Sequence, residues 1–133
     1  MASEKKTFPV QKESLSDVQE FVSLWAKNND IGMKISTKLS ICADEVVSNV
    51  VFYSGATELE ITCSKENGMV TMSLRDNGKA FNPLTEVKEP DTTASAEERE
   101  IGGLGIFMVK KMMNSVSYER VQESNVLTMT IAI

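Results

Sequence analysis

The chain has 133 residues, of which 41% are hydrophobic and 25% charged, and carries a formal net charge of −5. That length suits one domain built on one hydrophobic core, and the acidic balance argues against direct nucleic-acid binding, which ordinarily leaves a basic footprint. Histidine is absent, which removes Ser–His and Cys–His nucleophile pairs, histidine-ligated zinc and any phosphohistidine on this chain.

KTFPV, residues 6–10, predicts a short strand with Pro9 at an edge or a strand end. Leu15, Val18, Phe21, Val22 and Trp25 recur at helical intervals and predict a helix over 14–27, capped by Ser14 or Ser16 and closed by Asn28, Asn29 and Gly32. A second helix is expected from Ser36 or Thr37 through Leu39, Ile41, Cys42, Val46, Val47 and Val50, ending at Ser54-Gly55. TELEITCS alternates through Leu59, Ile61 and Cys63, and MVTMSLRD through Val70, Met72 and Leu74. The Asn67-Gly68 turn between them completes a hairpin signal. From Asn82 to Glu100 periodicity disappears, and so long an irregular stretch inside a compact domain tends to be functional or mobile. GGLGIFMVKKMM, residues 102–113, predicts a glycine turn followed by a helix, and SVSYERV with NVLTMTIAI a closing hairpin around Gln122–Asn125. The order β-α-α-β-β-loop-α-β-β indicates an α+β sandwich rather than a parallel βαβ sheet. No internal repeat or second domain is evident, so residues 1–133 are expected to form a single domain.

Three segments carry chemistry. In ADEVVSNVV, Glu45 and Asn49 are four apart and share one helix face amid valines. The carboxylate can orient or deprotonate a nucleophile, and the amide oxygen is a hard ligand suited to Mg²⁺. In LRDNGKAF, Asp76 ends a strand, and Gly78 lets the backbone come close to a ligand. A carboxylate fixed there can accept from an amino group such as adenine N6, with Phe81 beneath the loop. Gly102, Gly103 and Gly105 precede a helix, where successive N–H groups make an anion site. That stretch has neither P-loop nor Rossmann spacing. Each pattern alone is common, but a nucleotide needs all three. Cys42 and Cys63 show no C-x-x-C spacing and are expected to be reduced, half-buried thiols. No apolar run approaches the ~18–20 residues of a membrane span, and MASEKKTFPV lacks a secretory signal core, so a cytoplasmic protein without membrane contact is expected.

Glu45…Asn49, Asp76-Asn77-Gly78-Lys79-Ala80-Phe81 and Gly102–Phe107 resemble, in order, the N, G1 and G2 boxes of the GHKL ATPases. The branch most similar is the anti-sigma factor serine kinases, small single-domain histidine-kinase-like ATPases, and the likeness extends over nearly the whole chain. The resemblance implies a two-layer α/β sandwich of the Bergerat type, with a mixed, mostly antiparallel sheet and helices on one face. It implies ATP and Mg²⁺ as cofactors. Asn49 would ligate the metal, and Glu45 would serve as general base or orienting carboxylate. Asp76, with Gly78 and Phe81, would hold the adenine. Gly102, Gly103, Leu104 and Gly105 would contact phosphate, and residues 83–101 would form the ATP lid. Two departures stand out. Glu100 and Ile101 separate Arg99 from the glycines, where some relatives place a phosphate-sensing arginine, and Lys79-Ala80 replaces a common proline. The implied function is a protein serine/threonine kinase that phosphorylates a STAS-type anti-anti-sigma protein and sequesters a sigma factor by partner switching, as a homodimer. The alternatives are a nucleotide-responsive binding module using Asp17, Glu20 and the acidic lid, and a detached histidine-kinase catalytic domain.

Overall fold

The structure is a computed structural model that describes residues 2–86 and 103–133. Strand β1 (Ala2–Pro9) is longer than KTFPV predicts, because Ser3, Glu4 and Lys5 find ladder partners in Ser64, Cys63 and Thr62 of β2 (Glu58–Glu66). Pairing has overridden weak local propensity, and Pro9 sits at the strand end, as its missing N–H requires.

Helix α1 (Ser14–Asn28) follows. Neither serine caps it. Glu13 is the N-cap residue and makes no side-chain cap bond. Ser14 Oγ instead donates to the Pro9 carbonyl at 2.7 Å and Ser16 Oγ to the Glu13 carbonyl at 3.2 Å, so the first serine ties the helix back to the strand before it. Gly32 does not close α1. It is the N-cap of α2 (Met33–Asn49), which begins earlier than Ser36 because the Gly32 carbonyl accepts from Ser36 N at 2.9 Å. The chain continues as a π-helical turn, Val50–Ser54, and Gly55 ends it at φ 70°.

β2 and β3 (Met69–Asp76) form the expected hairpin, with Asn67 and Gly68 both at positive φ in its turn. One helical turn, α3 (Pro83–Glu86), stands where an irregular loop is expected, and the rest of the expected lid, with Arg99 and Gly102, lies outside the described residues. Helix α4 (Gly103–Met112) already includes Gly103 and Gly105 in its first turn, so these two are helical rather than part of a turn before the helix. β4 (Ser115–Val121) and β5 (Ser124–Ala132) close the chain.

The sheet order is β1-β2-β3-β5-β4, and all four pairings are antiparallel, so among the described residues the sheet is antiparallel throughout rather than mixed. Its inner face carries Leu59, Ile61, Cys63, Val70, Met72, Leu74, Leu127, Met129 and Ile131, all buried, and the helices cover it. Alternation fixes the face because a one-residue slip would turn every one of these side chains outward. α1 packs on α2, and α2 on α4. Both thiols are free and fully buried. Burial pushes Cys42 up to about 11 and Cys63 to about 12, which leaves them protonated and unreactive at neutral pH. Among the described residues no helix is long and apolar enough to cross a membrane.

Candidate active site

Asn49 ends α2 and is only 7% exposed, yet its side chain has no hydrogen-bond partner among the described residues. A buried amide left unpaired costs about 1–3 kcal/mol, so native structures rarely keep one without a use. It lines a pocket together with Val50, Ser54, Leu74, Asp76 and Phe81. Its position puts Asn49 there: Val46 of α2 and Val50, the first residue of the π-helical turn, are buried on either side of it.

Asp76 reaches the same pocket by the period of a strand. Val70, Met72 and Leu74 face the core, and the next position on that face is Asp76, 6% exposed. Its Oδ1 accepts from Gly78 N at 2.9 Å and from Asn125 Nδ2 at 3.1 Å. Oδ2 has no hydrogen-bond partner among the described residues, so the carboxylate is held by one oxygen and offers the other.

The turn after Asp76 is fixed from both sides. Asn77 Oδ1 accepts from Thr57 N and Glu58 N at 2.9 and 3.1 Å, anchoring it to the start of β2. A Cβ on Gly78 would stand 2.5 Å from the Ser54 carbonyl oxygen, which itself accepts from Lys79 N at 3.1 Å. The structure's demand for glycine at 78 therefore comes from the π-helical turn behind it.

Sequence reasoning missed the residue that organises this loop. Asn125, placed in a turn by its neighbours, lies in β5 opposite Asp76 and is 5% exposed. Its Nδ2 donates to Asp76 and to the Lys79 carbonyl (2.8 Å), and its Oδ1 accepts from Phe81 N (3.1 Å), Tyr118 Oη (2.5 Å) and Arg120 Nη1 (3.2 Å). Arg120 also donates to the Gly78 carbonyl at 2.9 Å. The signal was present: Asn125 shares the β5 face of Leu127, Met129 and Ile131, one polar residue on an otherwise apolar stripe. Asn125→Ala is expected to destabilise the fold by about 2–4 kcal/mol, since it strips partners from several buried groups at once. Urea unfolding monitored at Trp25 measures it.

Glu45 is one turn before Asn49 but opens elsewhere. It is half-buried and lines a groove of about 500 Å³ between α1 and α2, with Gln19, Ser23, Thr37, Ser40 and Asp44. Burial first, and the neighbouring Asp44 second, raise its pKa above the usual carboxylate value. Its carboxylate also rests against Gly105 in the first turn of α4. So the structure brings Asn49, Asp76 and Phe81 around one pocket, with Gly78 bonded to Asp76 behind it, and brings Glu45 and Gly105 together separately.

The sequence model described as the histidine kinase-like ATPase domain matches residues 8–131, nearly the whole chain. The chain belongs to that family. The assignment to its GHKL anti-sigma kinase branch, made from the three motifs, stands with the other similarities. The chain is 29% identical over 96 residues to the serine/threonine-protein kinase BtrW of Bordetella bronchiseptica, which covers 69% of this chain and 67% of that protein. Its fold matches the RsbU and RsbW domains of Rv1364c from Mycobacterium tuberculosis at a TM-score of 0.73 and 13% identity, over 99% of this chain but 32% of that one. This histidine kinase-like ATPase therefore spans about a third of that solved chain's length. The catalytic domain of histidine kinase ThkA matches at 0.53 and 13% identity, over 97% of each chain. The domain is a kinase-like ATPase fold, and its family implies that it binds ATP.

Proposed function

We infer that this protein is an ATP-dependent protein serine/threonine kinase of the anti-sigma type. It phosphorylates a serine or threonine on a STAS-type anti-anti-sigma protein and holds a sigma factor in exclusive alternation with it, as a cytoplasmic homodimer. The observation that carries this reading is the pocket where buried Asn49 meets Asp76, neither the Asn49 amide nor Asp76 Oδ2 having a hydrogen-bond partner among the described residues.

Asp76 Oδ2 accepts from the adenine amino group while Asn125 and the Gly78 amide hold Oδ1. The pocket encloses only about 30 Å³, roughly one water, so the wall formed by Phe81 and Pro83 moves outward to admit the purine. The donor set fits Mg²⁺, which takes few protein ligands and completes its shell with phosphate and water. Asn49 supplies a hard oxygen. Bound there with ATP, the ion would neutralise charge on the transferring phosphoryl group. The first turn of α4 begins at Gly103, and its unpaired N–H groups would serve the phosphates.

Glu45 faces the groove along α1 rather than the base pocket, which suits an acceptor arriving as a segment of another protein. The acceptor hydroxyl oxygen bonds to the γ-phosphorus, the bond from that phosphorus to the bridging oxygen breaks, ADP leaves, and Glu45 takes the hydroxyl proton. A carboxylate of raised pKa holds that proton better than an ordinary one.

BtrW, named a serine/threonine-protein kinase, and the RsbW-like fold support the acceptor class. Incubation with γ-labelled ATP and a STAS-type antagonist is expected to place acid-stable label on serine or threonine. Label on a partner's histidine would favour a detached histidine-kinase domain. ATP-dependent binding of the antagonist without any label would favour a nucleotide-responsive binding module presenting the exposed Asp17 and Glu20.

A further inference from the structure

Two glycines among the described residues are hemmed in, for different reasons. The obstruction at Gly78 includes the Ser54 backbone carbonyl, which cannot step aside. At Gly105 it is one side chain: a Cβ there would fall inside the Glu45 Oε2 atom, 2.7 Å from Cδ and 3.3 Å from Cγ. Gly32, Gly55 and Gly68 have nothing within 4 Å.

We propose that Gly105 is a positioning residue for Glu45: its missing side chain is the seat that holds the carboxylate on the first turn of α4. This rests on the proposed function, in which Glu45 takes the acceptor proton, and gives Gly105 a role separate from contacting phosphate. Three observations converge on it. α4 has no acidic residue in its own first turn, and a helix N-terminus stabilises a carboxylate brought to it. Glu45 is half-buried on α2, which packs directly against α4. The obstructed atoms are the far end of a flexible side chain, so a methyl group at 105 swings Glu45 out of its seat rather than breaking the helix contact.

The helix that starts the phosphate-binding turn thus also sets the base, and one small substitution separates the two. Gly105→Ala is expected to lower phosphoryl transfer to the antagonist by about 10–100-fold, at or below the low end of the ~10²–10⁴-fold a general base contributes, because a displaced Glu45 retains part of its effect. ATP affinity should stay within about threefold, since the backbone N–H groups are unchanged. Placed in a Glu45→Ala background, the same substitution should change turnover by less than about twofold, as coupled residues do. A further readout is independent of activity: the Glu45 side-chain carboxyl carbon resonance in the nucleotide-free protein moves in Gly105→Ala and stays in place in Gly32→Ala.

Equal losses of affinity and turnover, an undiminished effect in the Glu45→Ala background, or an unmoved resonance would each overturn the proposal. If the unsubstituted chain transfers no phosphoryl group to the antagonist, the proposed function fails and the resonance alone decides the seat. Should Gly105→Ala fail to fold while the double variant folds, Glu45 is again identified as the obstruction; failure of both overturns it.

Discussion

Glu45→Gln is expected to reduce phosphoryl transfer by about 10²–10⁴-fold, the usual worth of a positioned general base, with ATP affinity nearly unchanged. Affinity is spared because Glu45 opens onto the α1–α2 groove and is not part of the pocket that Asn49 and Asp76 line. The amide keeps the volume of the carboxylate and its place against Gly105 but cannot take a proton. Burial and Asp44 raise the Glu45 pKa, so transfer by the unsubstituted protein should rise with pH through that raised value, and this limb should vanish in Glu45→Gln. Stability runs the other way. The folded state binds this proton more tightly than the unfolded chain, so Glu45's contribution falls as pH rises from the ordinary carboxylate pKa through the raised one. Pre-steady-state transfer rates across pH measure the first effect, and full-rate transfer by Glu45→Gln would remove Glu45 from the chemistry.

Elements bounded by strong local signals were legible in the sequence. The Asn67-Gly68 turn lies between β2 and β3 as expected, because positive φ at both positions suits few other residue pairs. Elements set by pairing or packing were less so. The N-terminal half of β1 is polar and becomes strand only because β2 offers it partners. Ser14 and Ser16 looked like caps, but both lie inside the first turn of α1 and nearby carbonyls accept from their hydroxyls. Glycines at 103 and 105 suggested a turn from propensity alone, whereas α4 absorbs them and packing against Glu45 explains Gly105.

The site divides the same way. Glu45, Asn49 and Asp76 stood out in the sequence as candidates because each is a polar residue of a demanding type near aliphatic neighbours. Asn125 was hidden by its position beside a turn. Only the register of β3 against β5 reveals that it faces Asp76. Ser54 was equally hidden, because its part is played by a backbone carbonyl that any residue could supply.

Asp76→Asn bears on the central claim, that these separated segments make one ATP site. The substitution preserves Oδ1 and so the bonds from the Gly78 amide and Asn125 that fix the loop, which leaves the fold close to its original stability. It replaces Oδ2, which has no partner among the described residues, with an amino group, setting donor against donor where the adenine amino group would bind. Losing that bond and leaving both donors unpaired is worth about 1.4–3 kcal/mol, or about 10–150-fold in affinity. GTP, which presents a carbonyl at the same place, should lose less. Calorimetric titration of ATP with Mg²⁺ into the unsubstituted protein and Asp76→Asn measures this directly. The expected result is one site per chain in the former and an affinity lower by at least tenfold in the latter. No heat of binding in the unsubstituted protein, or equal affinity in the two, would contradict the account.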